Sequence, residues 1–230
     1  MTEPQVPELK RIGIRSVNLS LDTLDRSRFL SITRRDELPA VLKTLDALLY
    51  HNIETKLNAV VMDGKNTQDI IPLVDLTKHL PVSVRFIEEM PFNGEADHHP
   101  GLLWDHIRIL KRIQENYPGI QKIPDPLFST SYNYHIPGHK GSIGIIAAYT
   151  RSFCGTCNRI RITPSGELKT CLYDDGVMNI KNFMREGLHD NELKALLLNA
   201  LGTRVKDGWE AERLRREDNP VHESMATIGG

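Results

Sequence analysis

A chain of 230 residues with 29 basic and 30 acidic side chains is long enough for one large domain, or one domain with a small appendage. Its near-zero net charge exerts no global pull on nucleic acid or anionic membranes, so any anion must be held by a local cluster of Lys and Arg. No segment approaches the roughly 20 apolar residues of a membrane helix, Met1 to Pro7 is too polar for a signal peptide, and three closely spaced cysteines do not suit a secreted disulfide framework; the expectation is a cytoplasmic protein with no nucleic-acid or membrane partner.

In chain order, Ser16 to Leu21 alternates polar and apolar residues as a strand does, and Asp22 to Asp25 can start a helical turn. A helix is predicted from about Leu38 to Leu49 and a strand over Thr55 to Met62. Thr67 to His79 reads as a helix with Ile70, Ile71, Val74 and Leu76 on or near one side. Val82 to Met90 is the third strand. Strands separated by helices of this length imply parallel βα units. Pro91, Asn93-Gly94 and Pro100-Gly101 break the pattern, and residues 1–94 and 95–230 are expected to divide the chain. Leu102 to Asn116 is predicted as an amphipathic helix. Prolines 118, 124, 126 and 137 mark a loop-rich stretch to Gly141. Ser142 to Tyr149 is the next predicted strand, followed by the cysteine region at 153–174, a helix over about 191–201 and an extended tail over 218–230.

Cys154-Gly155-Thr156-Cys157 brings two thiols together, and a turn at Pro164-Ser165-Gly166 returns Cys171 toward them. Structural zinc would need a fourth Cys or His, and the nearest histidines in sequence are His139 and His189. Three thiolates can instead hold an iron–sulfur cluster with one iron lacking a protein thiolate, a position a substrate atom could take. Spacing leaves both readings open, with buried unmetallated thiols as a third. Arg159 and Arg161 are two apart, so on a strand they face the same side. They are either a solvent-facing pair or a pair holding an anion or a nucleobase edge through planar guanidinium forks.

Cys154-x-x-Cys157-Asn158-Arg159-Ile160-Arg161-Ile162-Thr163 followed by Gly166, Cys171 and Leu172 resembles the C-terminal cluster of the GTP 3',8-cyclases, the radical-SAM family of molybdenum cofactor biosynthesis protein A. Asn18 to Asp22, the strand around Lys56, Arg85 to Met90 and the terminal Gly229-Gly230 are similar to further family motifs. The resemblance covers nearly the whole chain, loosely in 118–141 and 204–222. It implies an α/β fold, namely a partial TIM-type (β/α) barrel truncated at its N-terminus, with a C-terminal iron–sulfur subdomain. Carried over motif by motif, Cys154, Cys157 and Cys171 would ligate a second [4Fe-4S] cluster. Lys56, Arg159, Ile160 and Arg161 would bind GTP, Ser20 and Met90 would line an S-adenosylmethionine site, and the tail glycines would reach toward the active site.

The chain has no cysteine before Cys154, whereas the family's first cluster is held by an N-terminal C-x-x-x-C-x-x-C motif. The S-adenosylmethionine site is therefore expected to be incomplete and the polypeptide inactive by itself, with an open sheet edge near Val17 to Leu21 able to pair with another chain. The implied partners are GTP, a second copy in a homodimer or a separate N-terminal chain, and a downstream pterin-synthesis enzyme. A nucleotide-binding iron–sulfur module without catalysis, and a zinc-stabilised interaction domain, are the rival readings.

Overall fold

A computed structural model describes residues 2–90, 102–152 and 154–214. These form two compact units: residues 2–89 with 102–150, and Met90 with 151–214. The sequence boundary at 94/95 lies outside the described residues.

The first unit opens on α1 (Val6–Arg11), β1 (Ser16–Ser20) and α2 (Arg26–Thr33). Asp25 caps α2 by accepting from the Arg28 N–H at 2.8 Å, satisfying one of the donors a helix start leaves open. α3 (Leu38–Tyr50), β2 (Glu54–Val61), a 3-10 turn at Thr67–Asp69, α4 (Ile70–His79) and β3 (Val82–Glu88) follow. On α4 the buried residues are Ile70, Leu73, Val74 and Thr77, while Ile71 and Leu76 pack half-buried against the same core. α5 (His106–Asn116) starts four residues later than expected because Asp105 caps it, accepting from the Arg108 N–H at 2.7 Å. β4 (Gln121–Lys122), β5 (Ser131–His135) and β6 (Ser142–Ile146) complete the sheet. The hairpin of β4 and β5 falls where the prolines predicted only loop.

The sheet order is β1-β2-β3-β6-β5-β4, with the first four strands parallel and the last two antiparallel. This is a mixed α/β fold with a parallel-dominated sheet, as the alternating strand and helix patterns require. β1 forms one edge among the described residues. Alternation sets the two faces. Leu57, Ala59, Val61, Val84, Phe86, Ile143 and Ile145 point into a core closed by Leu45, Leu73, Val74, Ile109 and Ile113 from the helices. Burying a side chain the size of the fully enclosed Phe86 contributes about 1.5–3 kcal/mol. The opposite face carries polar rows. Asn18, Lys56 and Ser83 stand in register, and two residues on so do Ser20, Asn58, Arg85, Gly144 and Asn133.

In the second unit a 3-10 turn at Cys154–Thr156 leads to the short sheet β7 (Arg161–Ile162), β8 (Glu167–Lys169) and β9 (Met178–Asn179). Then come α6 (Ile180–Arg185), α7 (Asp190–Gly202) and α8 (Gly208–Leu214). Among the described residues no helix is long and apolar enough to cross a membrane.

Candidate functional site: a thiol hairpin flanked by arginines

The expected turn at 164–166 joins β7 to β8. Gly166 has φ 93°, and its N–H donates to the Thr163 carbonyl at 2.8 Å. That left-handed backbone favours glycine, and a Cβ there would fall 2.5 Å from the Lys181 Cβ. The hairpin delivers Cys171 just past β8. The Asp174 carboxylate holds the backbone around it, accepting from the Thr170 N–H at 2.9 Å and the Cys171 N–H at 2.7 Å. On the other arm, the Cys154 N–H donates to the Arg151 carbonyl and the Cys157 N–H to the Cys154 carbonyl. This is the tight turn a C-x-x-C spacing needs.

The three thiols are all partly buried and unlinked by disulfides. Cys154 interacts electrostatically with both Cys157 and Cys171. Each sulfur also meets a backbone N–H: Gly208 at Cys154, Arg159 at Cys157 and Tyr173 at Cys171. Burial pushes the Cys154 and Cys171 thiols above their ordinary value. Burial pulls Cys157 the same way, but the Arg159 N–H and the Arg204 guanidinium outweigh it and leave that thiol below its ordinary value. Arg204 also donates to the Cys157 carbonyl at 2.5 Å.

Among the described residues no three His, Cys, Asp or Glu side chains stand grouped as ligands of one metal ion. The donor chemistry nonetheless fits an iron–sulfur group: the set is all sulfur, and hydrogen bonds to the sulfurs are what tune such centres. Of the two histidines nearest in sequence, His139 contacts the Thr77 hydroxyl through Nδ1 at 2.8 Å, and His189 begins α7 with its N–H on the Glu192 carboxylate.

Arg159 and Arg161 lie beside the sulfurs. Arg159 is exposed and precedes β7 rather than lying on it; Arg161 is half-buried within it. Burial, then the neighbouring Arg159 charge, lowers the Arg161 pKa, while Cys157 and Cys171 oppose that shift. Asn158, Arg159, Ile160, Arg161 and Ile162 line an open cleft of about 520 Å³. Met90 packs in the same unit against the pair Tyr173 and Ala211, beside Cys171 and Leu172.

Ser20 and Lys56 belong to the first unit. Ser20 is exposed at the C-terminal end of β1. Lys56 donates to Ser16 Oγ at 3.2 Å and pairs with Glu54 at 2.9 Å. Two residues in the row of Ser20 were not among the candidates: Asn58, whose Oδ1 is buried without a hydrogen-bond partner among the described residues, and Arg85, whose Cγ would lie 3.1 Å from a Cβ at Gly144. The signal was available as polar residues at alternate positions of apolar strands. Gly229 and Gly230 lie outside the described residues.

A parallel-dominated α/β unit and a second unit presenting three thiols with two arginines define the class: an α/β protein with a candidate thiolate metal centre. Residues 82–209 match the Molybdenum Cofactor Synthesis C family. The chain is 36% identical to the GTP 3',8-cyclase of Chlorobaculum tepidum, covering 100% of this chain and 68% of that one. It is 36% identical to the Mus musculus Molybdenum cofactor biosynthesis protein 1, over 87% of this chain and 32% of that one. It is also 34% identical to the mitochondrial GTP 3',8-cyclase of Arabidopsis thaliana, over 84% of this chain and 50% of that one. The chain belongs to this molybdenum cofactor synthesis family, which includes the GTP 3',8-cyclases.

Proposed function

We propose that this chain forms the GTP-holding part of a GTP 3',8-cyclase, the radical-SAM enzyme that converts GTP to 3',8-cyclo-GTP for molybdenum cofactor synthesis. The observation that carries the reading is the second unit's hairpin, where three partly buried thiols, each facing a backbone N–H, stand beside Arg159 and Arg161. Cys154, Cys157 and Cys171 would hold the second [4Fe-4S] cluster. When bound, that group supplies an iron with a vacant coordination place, suited to a purine donor atom.

The protein's own task is aim and charge. Arg159 and Arg161 would pair with the nucleotide through their planar forks, with Ile160 lining the cleft between them. Lys56 would exchange its Glu54 partner for the nucleotide. Fixing the ribose and base in one geometry lowers the entropic barrier to ring closure. Ser20 and Met90 would line the S-adenosylmethionine site; the radical chemistry belongs to that cofactor. The cysteines of the first cluster are not among these 230 residues; the segment that carries them, in the same polypeptide or on a separate N-terminal chain, would join this one for cyclisation. The sheet is read as the later part of a (β/α) barrel, with the edge strand β1 as the place where earlier strands would add. A homodimer, a cytoplasmic setting and a downstream pterin-synthesis enzyme complete the proposal.

The test is anaerobic calorimetry with GTP on protein reconstituted with iron and sulfide. Arg161→Met removes one charged fork and should weaken GTP binding by at least about tenfold. Unchanged affinity in the variant, or no binding by the parent protein, would overturn the reading.

A further inference from the structure

One buried side chain near the thiols has no part in the chemistry proposed above. Arg151 carries φ 56°, a left-handed backbone that a non-glycine residue adopts only when its surroundings hold it there. Its side chain is 2% exposed. The guanidinium lies over the ring of Tyr173 at 3.6 Å and that of Trp209 at 4.0 Å. Nη1 donates to the Gly208 carbonyl at 2.9 Å, and Nη2 pairs with Glu212 at 2.8 Å. A buried cation is costly unless its partners are well placed, and here all of them come from Tyr173 and the first two turns of α8.

Gly208 is the hub of this contact. A Cβ on it would sit 3.0 Å from Arg151 Cδ and 3.0 Å from Tyr173 Cδ2, so the position takes only glycine without displacement. Its N–H faces the Cys154 sulfur. Arg151 therefore grips by its carbonyl the residue whose N–H touches a candidate ligand. We propose that Arg151 is a positioning residue: by clamping Gly208, Trp209 and Glu212 it keeps the Gly208 N–H on the Cys154 sulfur, and so sets the iron retention and reduction potential of a cluster held there. This rests on the cluster reading of the three cysteines.

The experiment compares the full chain with Arg151→Met, Arg151→Lys and Glu212→Gln after anaerobic reconstitution with ferrous iron and sulfide. Iron loss to an iron chelator and the midpoint potential, followed by electron paramagnetic resonance, are read for each. Arg151→Met should lose iron on the order of tenfold faster, as removal of partners behind a ligand does, and its potential should move to a more negative value as the N–H bond to sulfur loosens. Arg151→Lys keeps the charge but loses the fork and the stacking, and should stay close to Arg151→Met. Glu212→Gln should fall between the two extremes.

Full restoration by lysine would assign the effect to charge and overturn the positioning role. Faster iron loss at an unchanged potential would reduce Arg151 to a structural residue and overturn it too. Should Arg151→Met not fold, parental rates and potentials in the other two variants overturn the proposal. A parent protein that takes up no iron sinks the cluster reading and this inference together. A parental cluster with indifferent variants sinks only this inference.

Discussion

Replacing Glu88 with glutamine tests how the first unit holds the chain segment that runs toward the cysteines. Glu88 is fully buried at the end of β3. Its Oε2 accepts from the Tyr149 N–H at 2.9 Å and the Thr150 N–H at 2.8 Å. Its Oε1 accepts from the His106 N–H at 2.7 Å and contacts His106 Nδ1 at 3.1 Å, and the Thr150 hydroxyl reaches both oxygens. A glutamine keeps one oxygen and turns the other into a donor. Whichever way it is oriented, at least one buried backbone N–H loses its acceptor and faces another N–H. A buried donor left unsatisfied costs about 1–3 kcal/mol, and the bonds that survive lose their charge assistance. The sum for Glu88→Gln is about 2–4 kcal/mol, a large share of the roughly 5–15 kcal/mol that holds a domain folded. In urea denaturation followed by far-ultraviolet circular dichroism, that loss should lower the midpoint by about 1 M, given a slope of about 3 kcal/mol per molar. A midpoint within about 0.2 M of the parent would refute the claim that these hydrogen bonds hold the segment.

Two further outcomes follow from the first unit. A methyl added at Gly141 would lie 2.2 Å from the Val82 carbonyl oxygen and 2.9 Å from that of Leu80; both are backbone, so Gly141→Ala should destabilise by about 1–3 kcal/mol or more, and an unchanged thermal midpoint would contradict this. His139 has its pKa lowered from 6.5 by burial and then by the Lys78 charge, with Asp75 opposing and His135 and His79 adding to the lowering. The neutral ring is thus favoured by folding, so its contribution is intact above pH 6.5 and is lost as pH falls through the lower folded value. The Thr77 hydroxyl already donates to the Val74 carbonyl at 2.7 Å, so His139 Nδ1 is the donor in their contact. His139→Gln should flatten the decline in stability below pH 6.5, and an identical slope in the variant would refute the assignment.

The parallel strands were legible because their apolar residues recur every second position, as in Leu57, Ala59 and Val61. The helices over 38–50 and 190–202 were likewise legible from their periodicity. The hairpin of β4 and β5 was not, because prolines surround it and Ser131 to His135 alternates polar residues with tyrosines rather than with aliphatic ones. The turn at 164–166, which joins β7 to β8 and leads on to Cys171, could be read from its Pro-Ser-Gly sequence. Arg159 was expected on the strand with Arg161, yet it precedes the two-residue β7. The clamp around Arg151 could not be read at all, since its partners Gly208 and Glu212 lie some 60 residues along the chain and only folding brings them to it.

The account turns on whether Cys154, Cys157 and Cys171 jointly bind a cluster that a purine nucleotide can reach. Anaerobic reconstitution followed by iron and sulfide analysis and a visible spectrum with and without GTP measures this directly. The account predicts about four irons per chain and a spectrum that changes on adding GTP. A protein that binds a single zinc in place of iron, or a coloured protein indifferent to GTP, would contradict it.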